Sequence, residues 1–319
     1  MMKDARLPFM LLFLFFLAGC NEQAFTKINP HQSFVASVNI LEPSILFYDG
    51  TEEIAKWEFD KAYTGASLIK KDRILLYGHQ LDEADLYELS SGRKIQTIKT
   101  DIGTTNAYYD EEQEKIYLTN SKTNSIYSYD DQGKKLKELK LKNYPMSMTS
   151  YDGKLYVVNY KDTILSVIDM DTFVVEAEWE IEKSSNGIII IPEEGVAWVG
   201  GHGEGSKSNQ AIDVYNLQSG ELQSEINVSL MPVGFSRNGD TIFVVNHGSN
   251  ELFAFNLQGD RLWNIEVGAN PFVVTTYKNY QVVAGYDDHK LYFIEDKKIQ
   301  KAIETNQGPF QLLVREVVK

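Results

Sequence analysis

Residues 115–130 read KIYLTNSKTNSIYSYD: an apolar run closing on Asn120, a polar turn, and a second apolar run closing on Asp130. Alone, this is a hairpin that any β protein could contain. Set against the rest of the chain, it is one line of a repeat. The first run recurs as ILLYG (ending at Gly78), LYVVN (Asn159), VAWVGG (Gly201), IFVVN (Asn246) and QVVAG (Gly285). The second recurs as LFYD (Asp49), LYEL (around Glu88), LSVID (Asp169), DVYN (Asn216), LFAFN (Asn256) and LYFIE (Glu295). Sustained self-similarity at a period of about 40 residues, with several strands per unit, predicts a β-propeller.

Each unit fills in as four strands. An inner strand such as MSMTSY turns at Asp152-Gly153, a dipeptide suited to a type I′ hairpin, into KLYVVN. A polar loop leads to the third strand, and a further turn to an outer strand such as VEAEWEI. The middle strands are apolar at nearly every position, as a sheet covered on both faces requires. The first unit offers only FVASVN, SILFYD and IAKWEF, whereas the C-terminus offers one strand too many, GPFQLLVRE. The predicted fold is therefore all-β: seven four-stranded blades over residues 33–319, with the C-terminal strand completing blade one. Trp57, Trp179 and Trp263 fall in outer strands and read as packing between blades.

Those strands resemble the YVTN β-propeller family of exported bacterial proteins, on Tyr117-Leu118-Thr119-Asn120, Tyr156-Val157-Val158-Asn159 and Phe243-Val244-Val245-Asn246. Asn124 to Asp130 and Asp162 to Asp169 match the strand that follows. The resemblance implies the fold over the whole mature domain. It implies little about function, because propellers of this type include binding and surface-layer proteins, lactonases and scaffold subunits of redox enzymes.

The N-terminus carries a different signal. Lys3 and Arg6 precede an apolar stretch from Leu7 to Leu17, too short to span a bilayer as a helix, and Leu17-Ala18-Gly19-Cys20 closes it. The ending resembles a bacterial lipobox. Residues 1–19 then form a signal peptide cut between Gly19 and Cys20, Cys20 carries the lipid, and residues 20–32 form a tether. Cys20 is the single cysteine of the chain, so no internal disulfide competes for it. An ordinary secretory signal with an incidental cysteine is the competing reading. The expected location is the outer face of the cytoplasmic membrane, or the outer membrane of a Gram-negative host. A net charge of −14 over 319 residues disfavours nucleic acid.

Chemistry is expected on the face that carries the loops between second and third strands and the connections between blades. His79, His202, His247 and His289 fall there. Neutral imidazole is a common transition-metal ligand, and the place for a shared ion is His202 with His247, His289 being next in the series. No metal or other cofactor is predicted, and no CxxCH is present for covalent haem. The loop GGHGEGSKSNQ (200–210), with Glu204 and Lys207, is the longest insertion in the repeat and reads as a mobile lip. Tyr63, Tyr144, Met146, Met231 and Phe272 lie near the blade connections and read either as an apolar collar or as packing. Asp82, Glu83, Asp85, Asp287 and Asp288 read as solvated loop charges rather than Ca²⁺ ligands. No GxSxG or HExxH occurs.

These features together point to a monomeric, lipid-anchored, non-catalytic module. Its partners would be the membrane, through the anchor, and an unknown protein, polymer or small molecule. The competing classes are a lactonase-like hydrolase or redox scaffold, and a structural envelope protein.

Overall fold

The computed structural model describes residues 24–317; the signal segment with Gly19 and Cys20 lies outside the described residues. Seven four-stranded antiparallel sheets form a ring. In blade four the strands run from the inside outward as Pro145–Tyr151, Lys154–Asn159, Ile164–Asp169 and Val174–Glu180. Blade one breaks this order. Its inner strand is Pro309–Arg315, paired antiparallel with Phe34–Asn39, which is followed outward by Ser44–Asp49 and Glu52–Glu58. Both ends of the chain thus build one sheet, and no edge is left where the ring would otherwise open.

Burial explains the composition of each layer. The second strands are covered on both sides, so Leu155, Tyr156, Val157 and Val158 are all buried. The outer strands face water: Lys135–Lys140 reads KLKELK and is exposed almost throughout. Apolar side chains gather between blades rather than at one centre. Leu75 and Leu86 of blade two meet Ile116 and Leu118 of blade three. Across the closure, Val35 and Leu46 of blade one meet Val282 and Phe293 of blade seven.

The tight turns follow the sequence reading. Asp152 and Gly153 have φ of 49° and 69°, as a type I′ hairpin demands. Asn120 ties two loops together: its Nδ2 donates to the carbonyls of Asp101 (2.9 Å) and Ile102 (3.2 Å), and its Oδ1 accepts from the amides of Lys122 and Thr123. Asp130 Oδ1 accepts from the amides of Gln132 and Lys134. Both residues of the opening stretch therefore secure turns.

Two expectations need correction. The second half of the expected tether is docked. Phe25 stacks on Trp57 with centroids 5.0 Å apart, and Ile28 is buried. Their amides donate to the carbonyls of Gly92 and Leu89, in the turn between the third and fourth strands of blade two. Apolar side chains at Phe25 and Ile28 suffice for this, although too few to show a period. The second correction is Asp85. It sits in the strand Glu83–Glu88, not in the loop, and is wholly buried. Lys61 reaches it at 2.5 Å, and the hydroxyls of Tyr63 and Thr97 donate to it.

Candidate functional site

In each blade, the loop between second and third strands opens on the same face as the connection to the next blade. That face bears the mouth of the central opening. The residue just after each second-strand anchor points into this region: His79, Ser121, Tyr160, His202, His247 and Tyr286. The second residue of most inner strands lines the opening itself, as Thr105, Met146, Asn186, Phe272 and Phe310 do around a cavity of about 310 Å³.

Rings of these two series, with Tyr144 from the connection before Pro145, interleave into an arc. His79 stacks towards Tyr144 (6.2 Å between centroids), and Tyr144 meets Tyr160 (6.0 Å). Tyr160 meets His202 (6.0 Å), and His202 meets His247 (5.4 Å). His247 lies 4.1 Å from Phe272, which touches Tyr286 (5.5 Å) and Phe310 (5.3 Å). The arc passes from blade two through blades four to seven and reaches the inner strand of blade one. All of its members are half-buried.

The imidazoles in the arc are held neutral. Burial lowers the pKa of His202. Burial takes His247 down to about 4, helped by the neighbouring His202 and opposed by Asp287 and the Pro271 carbonyl. His79 is lowered by burial and then by Lys122 and Lys161. Its Nε2 lies 3.0 Å from Ser121 Oγ. The ammonium of Lys161 sits over the Tyr144 ring at 4.5 Å, which puts a cation at one end of the arc in an otherwise acidic molecule.

The structure sorts the sequence candidates. His202 and His247 come together. His289 does not join them, since its Nδ1 lies 2.9 Å from the Tyr286 carbonyl and its own carbonyl accepts from Thr305. Loop 200–210 is a small hairpin, with Gly203–Glu204 paired to Lys207–Ser208, instead of an unstructured lip. Glu204 pairs with Lys183, while Lys207 is exposed. The hairpin needs Gly203, which has φ of 87° and whose added Cβ would lie 2.4 Å from the Lys207 carbonyl.

Of the expected collar, Phe272 and Met146 line the cavity and Tyr144 belongs to the arc. Met231 packs into the apolar cluster between blades six and seven. Tyr63 is buried against Phe59 and Asp85, so it is packing. Asp288 binds inward, accepting from Tyr292 and from the Ala269 amide. Tyr160, Tyr286 and Phe310 were missed. The signal was present, because aromatic residues follow the anchors Asn159 and Gly285 directly.

No family model matches the chain, and no curated protein matches it either. Solved structures do. A functionally unknown protein from Desulfotomaculum acetoxidans is 12% identical with a TM-score of 0.74, over 89% of this chain and 99% of that one. Hydrazine synthase from Kuenenia stuttgartiensis is 12% identical with a TM-score of 0.72, over 84% and 94%. BamB from Moraxella catarrhalis is 10% identical with a TM-score of 0.59, over 90% and 92%. At such identities the likeness is one of fold alone: the chain is a seven-bladed β-propeller whose backbone resembles those of these bacterial proteins over most of their length.

Proposed function

We propose that this protein is an exported, lipid-anchored propeller that holds a ligand at the mouth of its central opening without transforming it. The arc of rings carries the reading. Half-buried aromatic side chains offer large contact area at little conformational cost, and two of them, Phe272 and Phe310, line a cavity within the size range of ligand sites. Methionines, neutral amides, hydroxyls and aliphatic side chains complete the wall, with no carboxylate or imidazole among them. Solved propellers of this shape bear names as different as BamB and hydrazine synthase, which is consistent with binding or scaffold roles and decides neither.

The docked N-terminal segment gives the anchor an orientation. Phe25 and Ile28 bond to a turn on the face opposite the mouth. Phe25 is five residues on from Cys20, a reach of no more than about 18 Å. A lipid on Cys20 therefore holds the ring close to the bilayer with its mouth turned away.

The test is affinity capture from envelope extracts by the immobilised protein. Tyr160→Ala/Phe272→Ala should lose the captured ligand, while Tyr151→Ala, at a hairpin turn on the opposite face, should keep it. Equal capture by all three proteins would remove the mouth as the site.

A further inference from the structure

His202 and His247 are neighbours, and each keeps a buried Nδ1 with no hydrogen-bond partner among the described residues. A buried polar atom left unpaired costs about 1–3 kcal/mol, so two side by side call for an occupant.

The spacing suits an ion. Imidazole nitrogen binds zinc at about 2.0–2.1 Å, so a shared ion would sit about 3.2 Å from each ring centroid. The observed 5.4 Å between centroids then corresponds to a nitrogen–metal–nitrogen angle of about 115°, between trigonal and tetrahedral. The ring planes stand at 78°, so the two imidazoles do not stack face to face. We propose that His202 and His247 form an open two-histidine site for a borderline transition-metal ion, with Zn²⁺ as its type.

Imidazole suits such ions better than Mg²⁺ or Ca²⁺, which prefer oxygen. Among the described residues no third histidine, cysteine or carboxylate completes a cluster. The remaining positions therefore fall to water or to a donor atom of a molecule entering the mouth, as in metal sites that keep an open position. A net charge of −14 favours arrival of a cation. The proposal is separable from the ligand reading above, since Tyr160 and Phe272 test one by capture and the two histidines test the other with Zn²⁺ alone.

The probe is Zn²⁺ alone, added to the metal-free full-length protein. Equilibrium dialysis should give one bound equivalent, and the thermal midpoint should rise with Zn²⁺ concentration. His202→Gln and His247→Gln should each weaken binding by more than about tenfold, the least that loss of even an outer-shell partner causes. His79→Gln and His289→Gln should bind as the wild type does. Co²⁺ should show the intense visible absorption of a low-symmetry, near-tetrahedral site in the wild type only. Circular dichroism of the metal-free variants separates lost binding from lost folding. Retention of Zn²⁺ by the double variant, or no saturable binding by a folded wild type, would overturn the site.

Discussion

At the scale of single residues, the buried polar groups are the informative ones. Asp213, in the third strand of blade five, is pushed up to about 6 by burial and by Glu182 and Glu225, with Tyr215 pulling weakly the other way. The folded state thus keeps a proton that the unfolded chain releases near its ordinary value. Stability from this group is complete below about pH 4 and is lost as pH rises through 6. A shift of that size is worth about 3 kcal/mol. Asp213→Asn should be more stable than the wild type by about that much at pH 8, with the gap closing near pH 4, as read from urea midpoints. A gap that does not change with pH would contradict the assignment. Composition could not reveal this, because an acid in a middle strand looks the same whether its neighbours are cations or other acids. Asp85 makes the point in reverse: equally buried, it is answered by Lys61, and its pKa is lowered despite burial.

At the scale of strands and turns, the repeat was legible because its anchors recur with their strands. The anchor amides recur in sequence but not in bonding: Asn120 holds the connection before its blade, whereas Asn159 Nδ2 donates to the Ile164 carbonyl at the start of the third strand. The blade connections were not read from the sequence, although they repeat as well. A residue with positive φ precedes the inner strand at Gly103, Tyr144, Ser184, Met231, Asn270 and Gly308. Their side chains have nothing in common, and the mark they leave is the proline that follows four of the six, at Pro145, Pro232, Pro271 and Pro309. Tyr144 and Met231 thus stand where they do partly because the connection requires a left-handed residue, at a cost of about 1–2 kcal/mol for a non-glycine.

The closing strand was visible as a surplus, but its fastening was not. Arg315 is buried, lies 4.6 Å from the Phe34 ring centroid, and donates to the carbonyls of Asn29, Gln32 and Lys71. Arg315→Met keeps the packing and strands three carbonyls. It should lower stability by about 3 kcal/mol by urea unfolding. A change of only a few tenths would mean that the latch is ornamental.

At the scale of the whole molecule, the fold was readable almost entirely, whereas the site was readable only in part. A ring of like units is encoded many times over, but a mouth is made once, from positions scattered over most of the blades. The proposed membrane attachment belongs to this scale. Cys20→Ala should be released from the membrane fraction or remain unprocessed, as fractionation and a mobility shift would show; unchanged retention of a processed chain would refute the anchor. The docking of residues 25–32 also has a mechanical consequence. Tension applied at the start of the chain, against a load held at the mouth, runs along the axis of Phe34–Asn39. That strand is bonded on both sides, to Ser44–Asp49 and to Pro309–Arg315. Its ladders are therefore loaded in shear, many bonds at once, instead of being peeled open one by one. The strand that seals the ring also doubles the seam that bears the pull.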